Sequence, residues 1–230
     1  MFNHQHHQRI HHILNALNPQ PFINAGACFG GGTLIALLYN EYRWSKDIDF
    51  ICPLGPGYSQ LRQAVFDNSG KAGFLFKNTA DIELPRDITA NQYGIRFPVK
   101  TQGTVIKFEI VAEARITLGT PDHLSWTRIP CLNSTDRFAE KLLANADRWA
   151  DESIESRDLI DLGMLRLHQA NYQEAIQKAE QAYPVVAPLK RALEKFSGSE
   201  KYREKCFAAL EIKTPEKVLE GLTLLQSDLN

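Results

Sequence analysis

Gly31-Gly32-Thr33 is followed, after the apolar run Leu34-Ile35-Ala36-Leu37-Leu38-Tyr39, by Arg43-Trp44-Ser45-Lys46-Asp47-Ile48-Asp49-Phe50. Upstream, Pro21-Phe22-Ile23-Asn24-Ala25-Gly26-Ala27-Cys28-Phe29 is short and apolar, which predicts a buried strand. Gly30, Gly31 and Gly32 then permit a tight turn and let backbone N–H groups approach an anion, because no Cβ intervenes. Thr33 fits a helix N-cap, and Leu34 to Tyr39 a buried helix whose N-terminus carries the partial positive charge that phosphate prefers. Strand, glycine turn and helix together suit a triphosphate.

In Asp47-Ile48-Asp49-Phe50 acids alternate with apolar residues. On a strand both carboxylates share one face while Ile48 and Phe50 enter the core, the two Cα atoms standing roughly 7 Å apart. A divalent cation would offset the repulsion between the acids, and hard oxygen ligands favour magnesium or manganese over zinc. An exposed edge strand with two solvated acids has the same spacing.

A third acid is sought on another strand. Tyr93 to Val99 and Thr104 to Ile116 read as strands, as does Phe74-Leu75-Phe76, and Tyr58 to Asp67 reads as a helix. In Val105 to Glu113 the even positions Ile106, Phe108, Ile110 and Ala112 are apolar, and Lys107, Glu109 and Glu113 fall on the other face. Glu109, flanked by bulky core residues, is the choice, with Glu113 the rival. Asp81-Ile82-Glu83 is followed at once by Pro85 and reads as edge or loop.

From about Asn133 the pattern turns helical. Asp136 to Trp149, Ser153 to Gln169, Asn171 to Tyr183, Ala187 to Phe196 and Ser199 to Leu210 repeat apolar residues at helical spacing, and Thr214-Pro215 starts a last helix. The expected division is therefore an α+β domain over 1–132 and a helical bundle over 133–230. Arg137 and Lys141 are i, i+4 neighbours able to aim positive charge at phosphates, and Arg157-Asp158 with Asp161 puts two acids beside an arginine. Ordinary salt bridges have the same spacing.

Hydrophobic residues make up 43% and charged residues 23% of the 230, with a formal net charge of −1, so no global basic field points to nucleic acid or membrane. The apolar runs are too short to span a bilayer, and no secretory signal is read at the polar, histidine-rich start. The scattered cysteines Cys28, Cys52, Cys131 and Cys206 fit reduced thiols in a cytoplasmic protein. His4, His7 and His11 share one face of a first helix that Asn18-Pro19-Gln20-Pro21 ends, a spacing common to polar helix faces.

Gly31-Gly32-Thr33, Arg43 to Phe50, Arg137 to Lys141 and Arg157-Asp158-Leu159-Ile160-Asp161-Leu162, in this order, resemble the motifs of the AbiEii/AbiGii-type nucleotidyltransferase toxins of bacterial abortive-infection and toxin–antitoxin systems. These belong to the polymerase-β-like nucleotidyltransferase superfamily. The resemblance covers roughly Pro21 to Leu167; the histidine-rich start, Gly30 and a glutamate as third acid depart from the pattern. It implies a mixed-sheet nucleotidyltransferase core with flanking helices, followed by a helical bundle. It further implies transfer of a nucleoside monophosphate from an NTP to an acceptor hydroxyl, on RNA such as a tRNA end, and a cognate antitoxin as partner. Asp47, Asp49 and Glu109 would hold magnesium or manganese; Gly31, Gly32 and Thr33 would grip phosphates, with Arg43 and Ser45 helping to orient them. Lys141 would neutralise triphosphate charge, and Asp158 would act in catalysis or hold Lys141. A small-molecule nucleotidyltransferase and a nucleotide-binding protein without turnover are the alternatives.

Overall fold

The computed structural model describes residues 2–169 and 172–229, so Asn171, the expected start of one helix, lies outside the described residues. The chain divides into two compact units, Met1–Leu34 with Lys46–Asn133, and Ile35–Ser45 with Ser134–Asn230. Ile35–Ser45 therefore belongs with the later helices, although it precedes the sheet strands in sequence.

The first unit opens with α1 (Gln5–Ala16) and α2 (Pro19–Ala25), then β1 (Cys28–Phe29) and the start of α3 (Gly31–Leu38). β2 (Ile48–Pro53), α4 (Pro56–Asp67), β3 (Thr89–Ala90), β4 (Gly94–Thr101) and β5 (Thr104–Glu113) follow. The strands form one mixed sheet in the order β1-β2-β5-β4-β3. β2 and β5 run parallel, and the other neighbours are antiparallel.

Alternation along β2 and β5 divides the sheet into two unlike faces. Ile48, Phe50, Ile106, Phe108 and Ile110 are buried in the core. On that side Phe22 of α2 stacks on Phe50 at 4.5 Å, Phe50 on Phe108 at 5.2 Å, and Phe108 on Phe97 at 4.6 Å between ring centroids. Each such pair contributes about 0.5–1.5 kcal/mol beyond area burial. This aromatic ladder fixes the register that sets the acids on the opposite face.

Three local expectations are corrected. Pro21–Phe29 is not one strand: only Cys28–Phe29 is extended, and Pro19–Ala25 is helical. The Asn18 side chain accepts from the Gln20 N–H, Pro19 begins the helix, and left-handed Gly26 closes it, so cap chemistry outweighs the apolar composition. Phe74–Phe76 is not a strand either; Ala72–Leu75 is a 3-10 turn, and Phe76 makes a single bridge to Leu17. Thr33 lies inside α3 rather than at its cap, and its hydroxyl donates to the Asp47 carbonyl at 2.6 Å.

The second unit holds the rest of α3 and the helices α5 (Ser134–Arg148), α6 (Arg157–His168), α7 (Gln173–Glu180), α8 (Val186–Ser197), α9 (Glu200–Ala209) and α10 (Pro215–Asp228). Its core includes Phe138, Leu142, Leu162, Leu165, Leu189 and Phe196. α6 and α10 approach closely at a pair of glycines. A Cβ on Gly221 would collide with the Gly163 carbonyl, so position 221 has no room for a side chain, and one on Gly163 would sit tightly against Val218 and Leu222.

Candidate active site

In the first unit the glycine turn and the acids are in direct contact. Gly31 has φ +66°, and a Cβ there would stand 2.7 Å from the Asp49 carboxylate oxygen. The Gly30 N–H donates to the Asp49 carbonyl at 2.8 Å, and Thr33 ties the Asp47 carbonyl to the first turn of α3. Gly31, Gly32, Asp47 and Asp49 are all half-buried, and Asp47 lies one residue before β2 rather than within it. The turn is short because Gly31 alone accommodates both the left-handed backbone and the acid pressed against it.

Glu109 is the register partner of Asp49 across the parallel β2–β5 pair, whereas Glu113 is opposite Pro53 at the far end. Glu113 is buried, with the Arg115 backbone N–H and guanidinium on its carboxylate. The geometry therefore separates the two rivals and sets Glu109 beside the acid pair. Glu109 is itself engaged: Arg96 Nε donates to one carboxylate oxygen and Lys107 Nζ to the other. Burial acts to raise the Glu109 pKa, but Lys107 and Arg96 outweigh it and hold the acid below the ordinary carboxylate range. For Lys107, burial acts to lower the pKa, and Glu109, together with Asp49 and Asp47, raises it. Among the described residues no group of three His, Cys, Asp or Glu side chains forms a ready-made metal cage.

The second unit contains a sealed charge cluster. Asp161 is fully buried and accepts from Arg43 Nε at 2.6 Å, Arg43 Nη2 at 2.9 Å and the Tyr42 hydroxyl. Lys141 Nζ lies 2.6 Å from Asp161 and 2.9 Å from Asp158. Arg148 closes the cluster with Nε and Nη2 on Asp158 at 2.6 and 2.9 Å. Burial alone would raise both aspartates. Arg43 and Lys141 hold Asp161 down instead, and Lys141 and Arg148 hold Asp158 well below the carboxylate range. The third Arg43 nitrogen donates to the Trp44 carbonyl at 2.8 Å, so this guanidinium is spent on Asp161 and its own loop. Ser45 is half-buried in the loop that follows, and Arg137 is buried one turn before Lys141.

Arg148 and Tyr42 are absent from the sequence-based set. Arg148 lies two turns after Lys141 and so on the same helix face, a spacing visible in the sequence; Tyr42 gives no signal without the fold. Arg96 is likewise hidden until the β4–β5 register is known. The first-helix histidines make tertiary contacts: His6 Nε2 meets the Lys46 carbonyl at 2.9 Å, His11 Nε2 the Trp126 carbonyl at 2.8 Å, and His7 is buried.

A sequence model of the family described as "Nucleotidyl transferase AbiEii toxin, Type IV TA system" matches residues 12–213. The chain belongs to this family. Two solved structures share the fold of this AbiEii nucleotidyltransferase at low identity. One is a candidate nucleotidyltransferase from H. pylori, with TM-score 0.54 and 16% identity, covering 99% of this chain and 97% of that one. The other is JHP933 from Helicobacter pylori, with TM-score 0.53 and 16% identity, covering 100% and 95%. Comparison with curated protein sequences finds no match. The AbiEii chain is thus a nucleotidyltransferase of a toxin–antitoxin family, and none of its described helices is long and apolar enough to cross a membrane.

Proposed function

We propose that this AbiEii protein transfers a nucleoside monophosphate from an NTP to an acceptor hydroxyl on RNA, such as a tRNA end, and that a cognate antitoxin restrains it. The observation that carries this reading is the contact of Gly31 with the Asp49 carboxylate, which makes phosphate turn and acid pair one site. Backbone N–H groups at Gly31 and Gly32 and the Thr33 segment would receive β- and γ-phosphate oxygens at the α3 N-terminus. The acceptor hydroxyl gives its proton to solvent water as its oxygen bonds to the α-phosphorus, the bond from that phosphorus to the bridging oxygen breaks, and pyrophosphate leaves.

Asp47 and Asp49 offer the half-buried hard oxygens that suit magnesium or manganese, and Glu109 is the third acid beside them. When bound, the metal would supply charge neutralisation for the acids and electrophilic help at the phosphates. Glu109, held below the ordinary carboxylate range by Lys107 and Arg96, is a poor proton acceptor, so its part is electrostatic. Two of the three Lys141 N–H groups are directed to Asp158 and Asp161, so Lys141 is held within its own unit. Asp158 then serves to hold Lys141, and Arg43 to hold Asp161.

The test is incubation with each α-labelled NTP, magnesium and total bacterial RNA, with the Asp47→Ala/Asp49→Ala variant alongside. Label is expected on an RNA band with the unaltered protein and at least about a thousandfold less with the variant. The near-neutral net charge of −1 favours a second reading, a small-molecule acceptor, which predicts pyrophosphate release without labelled RNA. Equal labelling by both proteins would remove the acid pair from the mechanism.

A further inference from the structure

Across the polar face of the sheet, Asp49 on β2, Glu109 on β5 and Arg96 on β4 are register partners and stand in one row. Lys107, two residues before Glu109, shares that face and is bonded to it. Each Glu109 oxygen thus has its own cation, Arg96 on one and Lys107 on the other. The acid is nearly buried while the Lys107 side chain remains 54% exposed, so the ammonium is held at the open side of the site. Its positive charge also lies within the attraction of Asp49 and Asp47.

The charge balance that results differs from that of a phosphoryl-transfer site working with two divalent ions. Asp47, Asp49 and Glu109 with two such ions carry one net positive charge. The same acids with Lys107, Arg96 and a single divalent ion carry the same net charge. A second divalent ion would have to displace Lys107 from Glu109 and would meet two fixed cations in partly desolvated surroundings, where repulsion is poorly screened.

We infer that Lys107, backed by Arg96, stands in for one of the two metal ions, so that the site takes a single divalent cation at Asp47 and Asp49. This rests on the reading of those two aspartates as metal acids. In consequence Glu109 is a ligand to side-chain cations rather than to metal, and the row Asp49–Glu109–Arg96 is a graded passage from metal to guanidinium.

Direct titration of the purified protein with Mn2+, followed by the electron paramagnetic resonance of the free ion, tests this without turnover. The unaltered protein is expected to bind one Mn2+, Lys107→Met two, and Lys107→Arg one, with the first ion held about tenfold more tightly in Lys107→Met than in the unaltered protein. Asp49→Ala is expected to lose the first ion. Two ions on the unaltered protein, or an unchanged count in Lys107→Met, would overturn the stand-in while leaving the metal acids intact. No ion on the unaltered protein, or full binding by Asp49→Ala, would overturn the metal reading itself and the inference with it. Because the Lys107 side chain is exposed and Lys107→Arg preserves the charge, a folding failure is separable from a charge effect.

Discussion

Asp49 and Asp161 are both aspartates in charged surroundings, yet they occupy opposite kinds of site. Asp49 is half-buried on an open sheet face, against a glycine backbone, in a group where acids outnumber cations. Asp161 is sealed among Arg43, Lys141 and Tyr42, in a cluster where cations outnumber acids. The first arrangement is the one proposed to receive a ligand, and the second is closed by the protein's own ion pairs. Ion pairs therefore mean different things in the two units. In the helical unit they fix side chains in place, whereas on the sheet Arg96 and Lys107 are proposed to set how much further positive charge the acids accept.

The largest expected effect lies in the sealed cluster. Asp161→Ala leaves Arg43 and Lys141 short of a buried partner and should lower unfolding free energy by about 3–5 kcal/mol. Urea denaturation measures it, and a loss under about 1 kcal/mol would mean that the cluster is far wetter than its burial implies. Next comes pH. Asp158 and Asp161 have folded pKa values below the unfolded value, so the folded chain gives up their protons more readily. Their contribution is present above the unfolded carboxylate pKa of about 3.9 and is lost as pH falls towards the folded values. Unfolding free energy should therefore drop steadily between about pH 5 and pH 2, and an Asp158→Asn protein should give a shallower slope; identical slopes would break the contrast with the open site. The smallest effect belongs to the exposed pair Lys100–Glu83, 2.9 Å apart with side chains 34% and 63% exposed. Glu83→Gln should change stability by no more than about 0.5 kcal/mol.

The placement of the glycine turn against the acid pair was legible in the sequence because its parts are local. A glycine turn, a helix start and an alternating acid pair all lie within twenty residues, and the period-2 pattern of Val105 to Glu113 assigns Glu109 and Lys107 to one face. The sealed cluster was legible only in its acids and lysine. Arg43 reads as a phosphate ligand beside the glycine turn, but its partner lies 118 residues later, and nothing local announces the pairing. Arg96 reaches Glu109 through strand register, which hydrophobic alternation does not specify from one strand alone. The stretch 21–25 is helical rather than the expected strand because its apolar residues fit either state, and only the Asn18 and Gly26 caps decide between them.

The glycine contact between α6 and α10 bears on how short a working chain can be. The family match ends at residue 213, before α10 begins, yet α10 lies with Gly221 against Gly163, and Asp228 is bonded to Arg166 at 2.6 Å. The helix it braces is the one that carries Asp158 and Asp161. A truncation placed at the edge of the matched stretch is expected to strip the backing from those acids while leaving residues 12–213 intact, so the packed helical unit here extends past the family match.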